Sequence, residues 1–312
     1  MSAPMDCTVL GAGGMMPMPA RLTTSMLLRT DGRMVMFDAG EGIQLALKKG
    51  GLGIRTLEIV AISHLHADHV LGLPGVLMFR SQCDDPSPLT IVGPPGIRRF
   101  IEHTLEDLRY HVSFALRFVE WAPGADSLAL DWNGDHLYWE PLVHSTTCLG
   151  YRFQESDRPG KFDLERAVAL GIPRGPLYGR LQSGETVTLQ DGRVVRPADV
   201  LGPGRRGRSV VFATDTMPCG GMERLCAGAD IAFLEGMFTL DHADEAKKKK
   251  HSTAAASAEI AARSGVKQLV LVHISPRYTF DDEKILAREA AVHFPEVRIG
   301  RGLDTWEVPL PD

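Results

Sequence analysis

The 312-residue chain has only five cysteines, Cys7, Cys83, Cys148, Cys219 and Cys226, and no two of them form a CxxC pair. An odd count without paired spacing argues against a disulfide framework and against a structural zinc site of the cysteine type. It leaves most of the five as small buried apolar side chains. No apolar run approaches the roughly 18 residues needed to cross a bilayer. The opening MSAPMDCTVLGAGG lacks a basic stretch followed by an apolar one, so no secretory leader is expected; the expectation is a cytoplasmic protein without membrane association. Surplus positive charge is missing too. The formal net charge is −5, which argues against binding a polyanion over the whole surface, so affinity for nucleic acid has to come from a local patch. No tandem repeat of solenoid period is present. What is there is 44% hydrophobic, 23% charged and 7% aromatic residues, ordinary globular values over a length that buries a sizeable core in one large domain or two small ones.

Short apolar runs alternate with helical periodicity. Met5–Leu10 reads as a strand before a turn at Gly11, Gly13 and Gly14, and Ser25–Arg29 with Arg33–Asp38 reads as a hairpin around Asp31-Gly32. Glu41–Lys49 has helical spacing and is closed by Gly50-Gly51. Leu57–Ser63 is a near-continuous apolar strand of the kind buried on both faces, and it runs directly into His64. Further strands are expected at Leu89–Val92, Phe114–Trp121, Leu137–Val143, Tyr151–Gln154, Ser209–Ala213, Ile231–Glu235, Gln268–His273 and Val297–Ile299. Helices are expected at Gly96–His111, Ser252–Gly265 and Asp281–Phe294. This order predicts an α/β fold, two mixed sheets packed together with helices outside. Residues 155–208 break the rhythm with many prolines, glycines and charges; the segment reads as a partly ordered protrusion with a short helix at Asp163–Leu170 and a hairpin around Asp191-Gly192.

The decisive run is Ser63-His64-Leu65-His66-Ala67-Asp68-His69. On an extended turn His64 and His66 point the same way and can share one metal, while Asp68 and His69 begin the next element and can face a second. Imidazoles with a few carboxylates suit zinc and its neighbours better than calcium or magnesium. Two close divalent cations suit hydrolysis of an ester, lactam or phosphodiester, and Asp68 can serve as ligand and as proton acceptor for the attacking water. His103, His111, His136, His242 and His293 match no ligand position.

The HxHxDH run resembles the signature of the metallo-β-lactamase superfamily. That resemblance implies an αββα sandwich over the single domain 1–312 and completes two metal sites with His144 in EPLVHST, Asp215 in VVFATDT and His273 in LVLVHIS. Three further features resemble the ribonuclease Z family of tRNA 3′-processing endonucleases. His251-Ser252-Thr253 before an Ala-rich helix matches the family's HST motif, and Glu235 in FLEGMF matches its acidic residue. The resemblance makes His251, oriented by Glu235, the acid that protonates the departing 3′ oxygen; a plain helix cap is the other reading of the Ser-Thr pair. Residues 155–208 resemble the family's flexible arm, or exosite, with Arg174, Gly175, Pro176, Tyr178 and Arg180 around its Gly-Pro element as substrate contacts. This segment holds ten Lys plus Arg against seven Asp plus Glu, and so concentrates positive charge where A-form RNA could be gripped by shape; a solvated charged loop is the alternative. GAGGMMPMPARLTTS with FDAGEGIQ resembles the family's N-terminal element, in which Arg21 approaches a substrate phosphate. The chain departs from the family at Ala67, usually Gly, and at Leu22, usually Asn, which puts a substrate contact at Leu22 in doubt. Together the resemblance implies a cytoplasmic homodimer that binds two Zn2+ (or Mn2+) per subunit and cuts precursor tRNA, with no DNA partner. An arylsulfatase-like or lactonase-like hydrolase of small molecules would keep every metal ligand without needing the arm. A non-catalytic RNA-binding subunit would be expected to have lost several of them.

Overall fold

The apolar runs become strands, and their two-residue period divides each run between two faces. In the computed structural model, which describes residues 3–311, the first strands are β1 (Met5–Gly11), β2 (Ser25–Thr30), β3 (Arg33–Phe37), β4 (Leu57–Ala61), β5 (Leu89–Gly93) and β6 (Leu116–Glu120). Next come β7 (Leu128–Trp132), β8 (Asp135–Leu142), β9 (Cys148–Gln154), and the short β10 (Val187–Thr188) and β11 (Val194–Val195). The last are β12 (Ser209–Ala213), β13 (Ile231–Glu235), β14 (Gln268–Val272), β15 (Arg298–Ile299) and β16 (Thr305–Glu307). One sheet has the order β16-β1-β2-β3-β4-β5-β6 and the other β15-β14-β13-β12-β9-β8-β7.

Alternation decides the layers. Val35, Phe37, Ile59 and Ala61 point between the sheets and meet Tyr151, Phe153, Phe212 and Phe233 in one inner core. The intervening Met36, Val60 and Ile62 point outward onto the helices Ile43–Lys49, Leu73–Ser81 and Ile97–Asp107. On the second sheet Val211, Ala213, Leu234 and Leu271 cover the helices Gly220–Cys226, Ala254–Arg263 and Glu283–Ala291. This is the αββα sandwich of the metallo-β-lactamase fold. No helix of the described residues is long and apolar enough to cross a membrane.

Two elements depart from the sequence reading for local reasons. The sequence reading assigns no element between His69 and Leu89, yet a helix spans Leu73–Ser81; Pro74 sits in its first turn, where the N–H it lacks would have no partner anyway. Its fully buried Arg80 ties it to neighbouring chain by donating to the carbonyls of Leu57 (3.0 Å), Asp85 (3.2 Å) and Ser87 (3.0 Å). The helix expected at Gly96–His111 stops at Asp107, and Arg109 takes a left-handed φ of 50°.

Glu155–Arg208 separates from the sandwich as a compact unit of its own, with the chain end from Leu310. It is more ordered than its prolines and glycines suggest. Helices span Leu164–Ala169 and Pro176–Gln182, the hairpin β10–β11 turns through Gly192 at φ 84°, and Ala167, Leu181, Val187 and Val195 form a small core. The breakers sit where helices begin and end: the Asp163 side chain caps the first helix, and Pro176 opens the second after Gly175 at φ 140°. The two ends of the unit are joined by the Arg208–Glu155 ion pair at 2.5 Å.

Candidate metal centre

Strand ends bring the expected site residues together. His64, His66, Asp68 and His69 follow β4, His144 follows β8, Glu235 ends β13, and Asp215 and His273 follow β12 and β14. Strand β8 is antiparallel to β9, and β9 to β12, so β8 and β12 run the same way and release His144 and Asp215 at one edge. Ligand sites of open α/β sheets lie at such carboxyl ends. The turns there are tight: φ is 54° at Asp38, 55° at Asp215 and 57° at His273. Non-glycine residues held in the left-handed region cost free energy and concentrate at functional turns. Gly14 is a glycine for want of space, since a β-carbon on it would lie 2.8 Å from the His273 ring.

The side chains form two groups that share Asp215. In the first, His64 Nε2 lies 2.9 Å from His66 Nδ1 and 3.7 Å from Asp215 Oδ2, and His144 Nε2 lies 3.3 Å and 3.9 Å from the same two atoms. In the second, His69 Nε2 is 3.5 Å from Asp68 Oδ2 and 3.2 Å from Asp215 Oδ1, and His273 Nε2 is 3.4 Å and 3.2 Å from them. Asp215 Oδ1 is buried with no hydrogen-bond partner, an acceptor that a cation would satisfy. Imidazole nitrogens and carboxylate oxygens at these spacings make a divalent-metal site.

A second set of groups fixes the imidazoles. Asp38 accepts from Ser63 N at 2.7 Å and Ser63 Oγ at 2.8 Å, and from His69 Nδ1 at 2.7 Å. Ser63 Oγ is 3.0 Å from His64 Nδ1, and the Lys250 carbonyl accepts from His144 Nδ1 at 3.1 Å. With each Nδ1 occupied, the Nε2 lone pairs of His64, His69 and His144 face the two groups. The sequence reading missed Asp38 in this part. Its one signal is an acid directly after the buried end of β3. The Met15 amide also reaches Asp68 Oδ2 at 2.5 Å, so the glycine turn belongs to the site rather than being only a turn.

Charge in the cluster is compensated internally. Burial pulls the His273 ring toward neutrality, but Asp215, Asp68 and Glu235 outweigh it and push the ring up to about 10. Burial opposes protonation of His69 in the same way, and Asp215 with Asp38 holds it well above the usual imidazole range. His64, whose burial is reinforced by neighbouring rings, is held well below it. Asp215 stays well below the carboxylate range against burial because His273, His69 and His64 surround it.

Glu235 is fully buried and hydrogen-bonded to His251 Nδ1. Its second oxygen accepts from Ser252 N at 2.6 Å and Thr216 N at 3.3 Å. Its first also lies 3.3 Å from His273 Nδ1, an ion-pair spacing with poor hydrogen-bond direction. Thr253 caps the helix Ala254–Arg263 by accepting from Ala256 N. The HST run thus supplies the helix cap through Thr253 and sets His251 against Glu235. A cavity of about 480 Å³ opens over the cluster, lined by Asp68, Asp215, His251 and His273 and by Lys248, Lys249 and Lys250.

Other expected residues are not part of this set. Arg21 is buried and is not among the residues that line the cavity: its guanidinium pairs with Glu283 at 2.5 Å and donates to the Tyr278 carbonyl at 3.1 Å. Within the unit 155–208, Tyr178 packs on Phe162 and donates to the Ile172 carbonyl, so it stabilises that unit's own fold. Arg180 pairs with Glu185 at 2.9 Å, and Arg174, Gly175 and Pro176 are exposed.

Comparison with known proteins agrees with this geometry. A beta-lactamase superfamily domain profile matches residues 192–274, and a profile for Anti-Pycsar protein Apyc1 matches residues 5–111. Ribonuclease Z of Treponema denticola is 39% identical over 297 residues, 95% of this chain and 96% of the relative. Ribonuclease Z of Halorubrum lacusprofundi is 38% identical over 306 residues, covering 98% and 97%. The crystal structure of the short form of human tRNase Z superposes with a TM-score of 0.70 at 25% identity, over 98% of this chain and 100% of that one. Identity at this level, sustained from end to end, means that the chain belongs to the ribonuclease Z family.

Proposed function

We propose that the chain is a metal-dependent endoribonuclease that removes the 3′ trailer of precursor tRNA, hydrolysing the phosphodiester so that the tRNA keeps a 3′-hydroxyl. The observation that carries this reading is the pair of donor groups joined through Asp215, with Glu235-oriented His251 lining the same cavity. His64, His66, His144 and Asp215 would hold one cation, and Asp68, His69, His273 and Asp215 a second. The imidazole-rich donors favour zinc, with manganese the alternative. When bound, such a pair supplies a water nucleophile at neutral pH and positive charge for the phosphate.

The chain's own residues do the rest. Asp68, in the cavity wall, accepts a proton from the attacking water. Glu235 fixes His251 Nδ1, which leaves Nε2 to pass a proton to the departing 3′ oxygen. Two amides hold the other Glu235 oxygen, so the acid is oriented before substrate arrives. The unit 155–208, with ten basic against seven acidic residues, contributes phosphate contacts to the folded tRNA, with exposed Arg174 and Arg180 as the best placed. The working form in this reading is a homodimer, which light scattering tests directly.

The deciding experiment is incubation of the purified protein with labelled precursor tRNA, with and without a chelator. Cleavage just after the discriminator nucleotide, abolished by chelation, is the expected result; uncleaved precursor in the presence of added zinc and manganese would end the reading. Replacing residues 160–200 by a short turn tests the RNA-binding unit. Activity on precursor tRNA should fall by at least about 100-fold, an expectation set by lost phosphate contacts, while hydrolysis of a small phosphodiester persists. Equal loss on both substrates would remove the unit from the account.

A further inference from the structure

The helix Ala243–Lys249 ends in Lys247, Lys248 and Lys249, and Lys250 caps it at a left-handed φ of 58°. Basic residues in a last turn complement the helix dipole and are ordinarily a solvated face. Here three of the four line the cavity over the metal-binding cluster. Their commitments differ. Lys249 Nζ is held by Glu245 at 2.7 Å, which Arg277 also holds at 2.7 Å. Lys250 Nζ donates to the His144 carbonyl at 3.2 Å, and its own carbonyl orients His144 Nδ1, so it belongs to the frame of that imidazole. Lys248 is exposed on the cavity lining and makes no hydrogen bond or ion pair among the described residues. It is a long, exposed cation beside the cavity to which the proposed reaction brings a polyanion.

Its position in the chain gives the side of the substrate. The reaction described above, on which this inference rests, releases the 3′ oxygen of the last retained nucleotide toward His251. Lys248 and Lys250 stand three and one residues before His251 and line the same cavity, which in this reading is the leaving-group side. The nearest further anion on that side is the phosphate preceding the last retained nucleotide, not one in the trailer. We propose that Lys248 binds the phosphate on the 5′ side of the last nucleotide that the tRNA keeps, and so sets which bond enters the cluster. A single ammonium suits this task, since it contacts phosphate as a point charge without reading the base.

The test pairs a charge on the protein with a charge on the substrate. Precursor tRNA is assembled with one uncharged methylphosphonate, either at the phosphate before the last retained nucleotide or at the first phosphate within the trailer. The full-length enzyme is compared with Lys248→Gln, Lys248→Arg and, as a charge-matched control away from the cavity lining, Lys247→Gln. Lys248→Gln should lower kcat/KM on the natural precursor about tenfold, mainly through KM, and reduce the slope of log affinity on log salt by about one. The upstream methylphosphonate should cost the wild type the same factor and cost Lys248→Gln nothing more, because both changes delete one contact. Lys248→Arg should restore most of the loss. Independent, multiplying losses overturn the proposal, as does coupling to the trailer phosphate, or a Lys247→Gln effect equal to that of Lys248→Gln. If the wild type leaves the unmodified precursor intact, the endonuclease reading itself fails; cleavage without coupling refutes the Lys248 contact alone.

Discussion

Asp215→Asn should reduce kcat/KM on precursor tRNA by at least about 10³-fold, the scale of losing a central electrostatic stabiliser together with part of the metal pair. The reason lies in the distances. Asp215 Oδ2 is 3.7 Å from His64 Nε2 and 3.9 Å from His144 Nε2, while Oδ1 is 3.2 Å from both His69 and His273 Nε2. One carboxylate thus closes both donor groups. An amide keeps the shape but replaces one oxygen by an N–H donor, which cannot ligate, and removes the charge shared by both groups. Metal content should fall below that of the wild type in the same preparation, while circular dichroism remains that of the folded sandwich. Full metal content and activity within about tenfold of wild type would show that Asp215 does not bridge; the margin is far below the loss expected for such a group.

His251→Ala should lower kcat on precursor tRNA by about 10² to 10⁴-fold, the usual contribution of a positioned acid, with metal content at the wild-type level. The imidazole is hydrogen-bonded to Glu235 and packs beside the rings of His144 and His273, and neither of the two donor sets assigned to the cations includes it. The loss should be far smaller on a phosphodiester whose leaving group is p-nitrophenolate, because that anion needs no proton to depart. Comparison of the two substrates separates a proton donor from a residue that shapes the cavity, for which both activities would fall together. Glu235 is the wrong residue for this test, since its Oε1 also lies 3.3 Å from His273 and a change there would disturb a metal ligand.

Part of the site was legible because several of its residues follow apolar runs. Val143 before His144, Phe212-Ala213 before Asp215 and Leu271-Val272 before His273 announce buried strands, and the dense His-rich run after β4 announces what such ends can hold. Asp38, which orients the His69 imidazole, was not legible. Asp38 acts on Ser63 and His69 only because β3 and β4 pair in parallel, a tertiary fact that no local spacing encodes. Lys248–Lys250 carry the ordinary signature of a solvated helix end, and only the placement of that helix end brings them to the cavity. Arg21 carries a long-range contact that its loop motif does not announce: its guanidinium pairs with Glu283, some 260 residues away in the chain. The same limit applies to the fold. Helix Gly220–Cys226 opens on two glycines and is held by burial of Met222, Leu225 and Cys226 rather than by propensity. Strand β16 has three residues and exists through its pairing with β1.

The central claim is that two cations sit astride Asp215, one held with His64, His66 and His144 and the other with Asp68, His69 and His273. Anomalous diffraction from crystals of the metal-loaded protein tests it most directly. Two peaks about 3.5–4 Å apart, the separation usual for paired hydrolytic cations, with Asp215 between them and the named side chains around each, is the predicted result. A single peak, or cations bound elsewhere with Asp215 uncoordinated, would contradict it.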